Sequence, residues 1–476
     1  MSATTARLTA ERGPGLALAA VGLGLFAIAC GIGVAIGELQ ALTVSLTLLG
    51  CVAVLADYRV GVVLLIVMLP VAESYFLPHS VFGVIGLNPV NLMLAATFVS
   101  YLMRGYEFKR FMPKPLVWLF MAPIIVAGLI GMRHVGDIHP AFYEEELIQY
   151  TGTLGYLSQT LLKPLLMVFA AAIIGAAVAR AKKAESVLIP IIVSVWVMSV
   201  MAIGYVIAEG VSLGALALTS SREFFSGMGM HSNGLGRLYA VAYALLLFTW
   251  GETKDLRLKT VLLFTMGILT VALVLTFSRG AMVGWVLVNG LFLVWKFNAK
   301  TIGLGLLAVG AGMLIMPGAV VSRMSLGLAG GGDVDTFTAG RMNEIWIPLF
   351  PELFKSPIWG DGLDAIMWSK AMWTGQMAAV THPHNAYMQA ILDMGLVGTG
   401  LLLAFYWHVY RCARDLGSNA YLSPTMRGFY QGLVASLLCF IITGFVGSSL
   451  RPTPEFAFLW IAIGMMYGQL ARRPAT

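Results

Sequence analysis

Long apolar runs separated by short polar turns make up most of this chain. A helix needs about 20 consecutive apolar residues to cross the hydrocarbon core of a bilayer, and the runs over 187–208 and 261–277 approach or reach that length. These runs are continuous, whereas the strands of a membrane β-barrel alternate apolar and polar residues. The pattern therefore predicts an all-α fold, a polytopic bundle of transmembrane helices.

The apolar runs predict about fourteen spans, with twelve as the lower bound. They are residues 15–37, 40–56, 60–77, 88–103, 115–132, 161–179, 187–208, 233–250, 260–277, 280–296, 301–320, 387–410, 427–447 and 455–471. The turn at residues 57–59 divides a run that is too long for one helix. We interpret residues 1–476 as one integral membrane domain whose largest loop, 321–386, contains short helices.

The composition excludes soluble classes of protein. Hydrophobic residues are 59% of the chain and charged residues only 11%, whereas soluble domains carry about 25% charged residues. This share cannot cover the surface of a cytosolic enzyme, and a disordered protein or a secreted disulfide scaffold is equally excluded. The four cysteines lie in or beside apolar runs without CxxC spacing, which indicates packing residues.

The distribution of charge predicts the orientation. With both termini in the cytoplasm, fourteen spans place 20 of the 30 Lys and Arg residues inside, but only 7 of the 23 Asp and Glu residues. This is the asymmetry that the positive-inside rule demands, so the basic pI follows from orientation and no nucleic-acid partner is expected. The first apolar run lacks a signal-peptide cleavage site and is predicted to be the first span.

The outer side holds most groups that can carry chemistry. Six of the seven histidines fall there, together with arginines that include residues 222, 237, 279, 323, 341 and 451. Arg279 lies between two apolar runs that leave almost no loop. An arginine at that depth is costly unless it is paired or faces water. It is either a snorkelling residue at a span end or a clamp for an anion, which guanidinium binds bidentately.

Two further positions favour a site in the outer loops. Arg341 opens a segment in which Ile345, Trp346 and Leu349 predict a helix on the membrane surface, and the arginine is alternatively a solvated partner of a nearby glutamate. His384 stands before the twelfth span, where a histidine can act as a general base. Alternatively it belongs to a helix cap formed with Asn385.

A metal site and a nucleotide site have little support in the sequence. His382 and His384 lack a third and fourth ligand at a recognisable spacing, and no glycine-rich stretch has the context of a nucleotide-binding motif. We therefore expect no metal and no cofactor. Asn233 and Arg237 open the eighth span among small residues, which indicates either a capped, closely packed helix or part of a substrate wall.

Several short segments together resemble the superfamily of O-antigen ligases and Wzy-type polymerases. The matching segments are Ser278-Arg279-Gly280-Ala281-Met282-Val283-Gly284, Gly340-Arg341 with Trp346, Trp359-Gly360-Asp361-Gly362, His384-Asn385-Ala386-Tyr387 and Asp393-Met394-Gly395-Leu396-Val397-Gly398. Their order and their shared side of the membrane carry the resemblance, which covers a ligase-like core over 230–410. The superfamily usually has about twelve spans, whereas fourteen are predicted here.

The resemblance implies a metal-independent, inverting glycosyltransferase of the bacterial inner membrane with its active site on the periplasmic face. The donor would be a glycan on undecaprenyl pyrophosphate, drawn from the lipid bilayer. By motif, Arg279 and Arg341 would hold the pyrophosphate and His384 would activate the acceptor hydroxyl. We further assign substrate contacts to Arg237, Asn233, Asn385, Tyr387 and Trp346.

The acceptor cannot be read from these motifs. A ligase would use lipid A-core, and a polymerase of O-antigen or exopolysaccharide would use a second lipid-linked glycan. A protein O-oligosaccharyltransferase would use a serine or threonine. The alternative from another class is a flippase for lipid-linked oligosaccharides. The sequence lacks the internal repeat common in transporters, and its arginines cluster at the outer rim and not within the spans.

Overall fold

A computed structural model describes residues 39–81, 84–106, 112–216, 219–296, 340–447 and 449–472, with single positions at 303, 318 and 338. We number its twelve longer helices in chain order. They are α1 Leu39–Ala56, α2 Tyr58–Val71, α3 Pro89–Met103, α4 Leu116–Asp137, α5 Gly152–Arg180, α6 Ala184–Ala208, α7 Ser232–Glu252, α8 Leu256–Leu275, α9 Arg279–Trp295, α10 Ala386–Gly417, α11 Pro424–Val446 and α12 Ala457–Ala471.

The all-helical prediction is confirmed for the described residues, apart from one small hairpin. Six helices, α4, α5, α6, α8, α10 and α11, are long and apolar enough to cross a membrane. Each of the twelve helices overlaps one predicted span. The predicted spans 15–37 and 301–320 lie outside the described residues, so the total of fourteen stays a prediction. The hairpin pairs Ser80–Val81 with Val84–Ile85 in antiparallel register.

Shorter helices connect the long ones, as expected for the large loop. They are Ala141–Glu144, Leu213–Leu216, the 3-10 turn Thr219–Met228, the segment from Met342 to Phe354, the 3-10 turn Ala365–Trp368 and Lys370–Trp373. Between Met342 and Phe354, Ile345 and Leu349 are buried while Ile347, Phe350 and Phe354 are exposed. The segment is therefore helical with one buried face, and its position on the membrane surface stays a prediction. Of this loop, only position 338 and the residues from 340 onward are described.

Helix α5 begins about nine residues earlier than the apolar pattern predicts. Its first turns contain Ser158, Gln159 and Thr160, which are too polar to count toward a span. Gln159 and Thr160 line an internal cavity described below. The correction therefore has a simple cause, because a helix end that faces a polar cavity does not need apolar residues.

Helix α7 is at the centre of the bundle and is buried over most of its length. It packs against α11, and α5 packs against α12. Small residues make the second contact close. A Cβ at Gly464 would lie 2.1 Å from the carbonyl oxygen of Ala171, and one at Gly468 would lie 2.3 Å from that of Gly175. Close approach through small residues is the usual way in which membrane helices gain packing energy.

Helix α10 is broken at Gly395, whose φ of 62° and ψ of −171° are not helical. The loop before the helix fills the break. The amide of Leu396 donates to the carbonyl of Pro357 over 2.8 Å, and that of Val397 donates to Ile358 over 3.2 Å. A break within a span is tolerated where protein satisfies the freed backbone groups, as it does here.

The same loop also contacts α4. The amide of Gly362 donates to the carbonyl of Asp393 over 3.0 Å, and that of Leu363 donates to Ala127 over 3.1 Å. A Cβ at Gly362 would lie 2.2 Å from the amide nitrogen of Gly131. The glycines of the 359–362 segment thus allow a loop to be wedged between α4 and α10, which fixes the position of the residues that follow.

Residues predicted to share the cytoplasmic side meet at one end of the bundle. Lys296 forms an ion pair with Glu252, and a guanidinium nitrogen of Arg427 lies 3.8 Å from the same carboxylate. Arg472 donates to the carbonyls of Val178 and Lys182. The candidate site lies at the opposite end, where α7, α9 and α10 begin.

Candidate functional site

A cavity of about 240 Å³ lies where α7 begins and where the loops before α10 and α12 meet. We call it the histidine cavity. Its lining combines positive, negative and imidazole side chains with backbone of the first turn of α7. The lining residues are Glu73, Met230, His231, Asn233, Gly234, Leu235, Arg237, His382, His384, Thr453 and Glu455.

His382 and His384 both line this cavity, and their rings form an edge-to-face pair with centroids 4.3 Å apart. The backbone at His384 has a φ of 54°, which is unusual for a residue other than glycine. Two contacts hold this conformation. The indole Nε1 of Trp346 donates to the carbonyl of Pro383 over 2.8 Å, and Asn385 caps α10 by accepting from two backbone amides.

Both histidines are neutral at physiological pH. Burial lowers the pKa of His382 to about 4, with Glu455 opposing the shift and Arg237 and Arg341 adding to it. Burial likewise lowers the pKa of His384 to about 2, with His382 and then Arg341 adding to the shift. A neutral imidazole has a lone pair on one ring nitrogen and can accept a proton. The sequence-predicted base is therefore in the protonation state that the role requires.

Arginines surround the histidines. Arg237, on the second turn of α7, donates from Nε to Glu455 over 3.1 Å and pairs with the same carboxylate through Nη2. A guanidinium has five N–H donors, so this fixed orientation leaves others for a ligand. Arg341 lies close enough to lower the pKa of both histidines. Two residues that the sequence assigns to anion and substrate contacts, Arg341 and Arg237, thus lie within electrostatic reach of His384.

Arg279 is attached to the site through the first turn of α9. Ser278 caps this helix, and its hydroxyl donates to Oδ1 of Asn233 over 2.9 Å. The close approach depends on Gly236, where a Cβ would lie 2.6 Å from that of Ala281. Arg279 is therefore one residue from a contact with the cavity wall, although it is not among the side chains that line the cavity.

Three predicted substrate residues lie outside the lining of the histidine cavity, and the first of them, Trp346, donates to Pro383 as described above. The hydroxyl of Tyr387 donates to the carbonyl of Ile441, and its ring packs 4.7 Å from that of Phe445. The amide oxygen of Asn385 serves the cap of α10. Neither side chain lines the histidine cavity. The cap of α10 that the sequence offers as an alternative is thus formed by Asn385. In α7, the N-cap is His231.

A buried ion network next to the site was not assigned from the sequence. Arg451 forms an ion pair with Asp364, and its Nη2 lies 3.9 Å from Oδ2 of Asp393. Burial opposes the charge of Arg451, but both carboxylates raise its pKa, so it stays ionised. Asp393 carried a readable signal, because a carboxylate inside an apolar span is costly and marks a function or a partner.

Strained backbone is concentrated around this region. Among the described residues, four that are not glycine have a positive φ, and three of them are Phe277, Asp364 and His384. Phe277 lies two residues before Arg279, Asp364 belongs to the ion network, and His384 borders the histidine cavity. Such strain costs about 1–3 kcal/mol at each position and gathers at functional sites. Within the described part of the chain, no three His, Cys, Asp or Glu side chains are placed to hold a metal ion.

The fold and this site define a multi-pass helical membrane protein with arginines and neutral histidines gathered at one end of the bundle. A comparison with protein families finds a match over part of the chain. Residues 264–403 match the family model described as O-antigen ligase. The match runs from within α8 to within α10 and includes Arg279, Arg341 and His384, and it confirms the resemblance to the O-antigen ligase and Wzy-type superfamily. A search of curated proteins finds no match.

Proposed function

We propose that the chain is a glycosyltransferase that moves a glycan from undecaprenyl pyrophosphate onto an acceptor hydroxyl at the periplasmic face of the bacterial inner membrane. The family match supports glycan transfer in a membrane. The observation that carries the proposal is a cavity lined by two neutral histidines and Arg237, with Arg341 close enough to lower the pKa of both histidines. Ligase and polymerase remain the two forms of this function, since they differ only in the acceptor.

The arrangement suits the reaction. The acceptor oxygen bonds to the anomeric carbon, and the bond from that carbon to the pyrophosphate oxygen breaks with its electron pair left on the phosphate. Arg237, Arg279 and Arg341 would stabilise the charge that develops there, as fixed donors do in transition states. His384 would take the acceptor proton. The arginines supply the charge that a metal ion supplies elsewhere, so we propose a metal-independent, inverting reaction.

Reconstitution tests this function. The purified protein in lipid vesicles receives an undecaprenyl-pyrophosphate-linked repeat unit, alone or with lipid A-core, in the presence of EDTA. Longer lipid-linked glycans from the donor alone identify a polymerase, and product only with lipid A-core identifies a ligase. Intact donor crossing the bilayer without any glycosyl transfer contradicts the enzyme and favours the flippase.

The geometry of guanidinium leads to a prediction at Arg279. We expect Arg279→Ala to abolish transfer and Arg279→Lys to lower it by about tenfold or more, because lysine keeps the charge but cannot bind phosphate bidentately. Transfer rates in the reconstituted system measure both. If Arg279→Lys matches the wild type, Arg279 is a snorkelling residue and the phosphate contact is wrong.

The lowered histidine pKa values predict an unusual pH profile. Because both imidazoles stay neutral down to about pH 4, kcat/KM for the donor should stay level as the pH falls from 8 to 5.5. This parameter reports the free enzyme, and a catalytic base of ordinary histidine pKa, about 6.5, would lower it about tenfold by pH 5.5. Bound pyrophosphate adds negative charge that raises both pKa values, so kcat should decline at a higher pH than kcat/KM.

A further inference from the structure

A second cavity of about 280 Å³ adjoins the histidine cavity and shares His382 and Thr453 with it. We call it the arginine-451 cavity. His384 borders only the first cavity, so His382 and Thr453 form the junction. The remaining lining residues are Ile148, Tyr150, Gln159, Thr160, Pro164, Asp364, Met367, Thr381, Ser449 and Arg451.

The single cation of this lining is committed to protein partners. Besides the ion pair with Asp364 and the approach to Asp393, Arg451 donates from Nη1 to the carbonyl of Thr160 over 3.4 Å and from Nε to the hydroxyl of Ser449 over 3.3 Å. Two carboxylates surround one guanidinium here. The cavity therefore has no surplus positive charge with which to bind a pyrophosphate.

The rest of the lining suits a neutral, hydroxyl-rich ligand. Tyr150, Gln159 and Thr381 bring a phenol, an amide and a hydroxyl, all of which exchange hydrogen bonds with alcohols. Ile148 and Met367 add apolar surface beside them. Binding sites for small molecules commonly combine apolar walls with a few placed polar groups, and a sugar residue presents both kinds of surface.

The wall of this cavity is fixed before any ligand binds. Oδ1 of Asp393 accepts from the backbone amide of Ala365 over 3.2 Å, directly after Asp364. The hydroxyl of Tyr156 donates to the carbonyl of Leu363 over 2.7 Å. At the junction, the hydroxyl of Thr381 lies 3.1 Å from Nδ1 of His382. When Nδ1 accepts this bond from the Thr381 hydroxyl, the ring hydrogen is on Nε2, which can donate to an acceptor oxygen.

We propose that the arginine-451 cavity is the acceptor subsite, which binds a neutral sugar residue so that one of its hydroxyls reaches the donor at His382. This proposal rests on the proposed function and adds the position of the acceptor. The Nε2–H of His382 donates a hydrogen bond to the acceptor oxygen at the junction, and the hydroxyl's own proton passes to His384 as the new glycosidic bond forms. The pyrophosphate leaves within the histidine cavity, which Arg237 lines and where Arg341 lies within electrostatic reach of both histidines.

Gln159→Leu tests this assignment, because it removes the hydrogen-bonding amide and keeps a similar volume. With the acceptor that the wild type uses, lipid A-core or the lipid-linked repeat unit, we expect the KM for the acceptor to rise about five- to tenfold, the effect of one lost hydrogen bond. The KM for the donor should not change. Gln376→Leu makes the same replacement at an exposed loop position outside both cavities and should leave both constants unchanged.

A binding measurement separates this proposal from the proposed function. Saturation-transfer NMR follows the delipidated acceptor glycans on the detergent-purified protein without any donor. Binding by the wild type that weakens in Gln159→Leu supports the subsite even if no transfer occurs, and in that case only the proposed function fails. The subsite is overturned if the glycans do not bind, if they bind the variant equally, or if the variant raises the KM for the donor and not for the acceptor.

Discussion

Replacing His384 or Arg341 by alanine should reduce glycan transfer by about 10²- to 10⁴-fold, which is the range for loss of a positioned base or of a charge stabiliser. His384 is held beside His382 in a strained backbone conformation, and Arg341 lies within electrostatic reach of both rings. Either replacement leaves the long helices untouched, so membrane insertion should be normal. Transfer rates per amount of inserted protein measure the effect.

Matched controls keep this prediction sharp. His79→Ala and Arg133→Ala remove the same side-chain types on the side predicted to be periplasmic, outside the lining of both cavities. They should retain transfer within about twofold, as surface substitutions usually do. Near-normal transfer by both His384→Ala and Arg341→Ala would contradict the assigned chemistry while leaving the fold intact.

Gly395→Ala should destabilise the protein by about 3 kcal/mol, because two effects act at one position. The φ of 62° with ψ of −171° belongs to a region that essentially only glycine occupies. In addition, a Cβ there would lie 2.3 Å from the carbonyl carbon and oxygen of Ile358. Backbone atoms cannot move aside as a flexible side chain can, so the loop must leave the break in α10. Thermal unfolding of the purified protein in detergent measures this loss.

Gly400 provides the control in the same helix. A Cβ at this position has no atom within 4 Å, and alanine favours a helix over glycine by about 0.5–1 kcal/mol. Gly400→Ala should therefore unfold at the same or a slightly higher temperature than the wild type. Equal melting temperatures for Gly395→Ala and the wild type would mean that the loop does not sit in the break.

Transfer should also fall in Gly395→Ala. The loop that fills the break carries Asp364 to the ion network with Arg451 and Asp393. If the loop moves, the arginine-451 cavity loses one wall while the histidine cavity keeps its own residues. The KM for the acceptor should therefore rise more than the KM for the donor. If the variant unfolds at a lower temperature but has unchanged kinetics, the loop has no role in binding the acceptor.

Much of the fold is visible in the apolar pattern because a membrane helix satisfies its backbone hydrogen bonds locally. Each of the twelve described helices overlaps a predicted span for this reason. The extension of α5 over 152–160 was missed, since Gln159 and Thr160 face a cavity and carry no apolar signal. The break in α10 was not predicted either, although Gly395 lies in a motif that the sequence singled out.

The sequence also identified Arg279, Arg341 and His384, because charged and imidazole groups beside apolar runs are costly and therefore conspicuous. It could not predict which residues form ion pairs beside them. Arg237 and Glu455 are 218 residues apart in the chain and form an ion pair. Asp364 and Arg451, 87 residues apart, form another. Such pairs depend on which helix ends become neighbours, and local sequence does not specify that.

By itself, then, the sequence determined the class of protein, the described helices and the resemblance to the O-antigen ligase family, because hydrophobic length and local motifs are properties of short segments. The tertiary structure decided the rest. Packing of α7 against α9 and α11 placed Asn233 beside Ser278, and the loop wedged between α4 and α10 brought Asp364 to the wall of the arginine-451 cavity. The physical reason is that a binding site is a relation between distant segments, and only close packing fixes the distances between them.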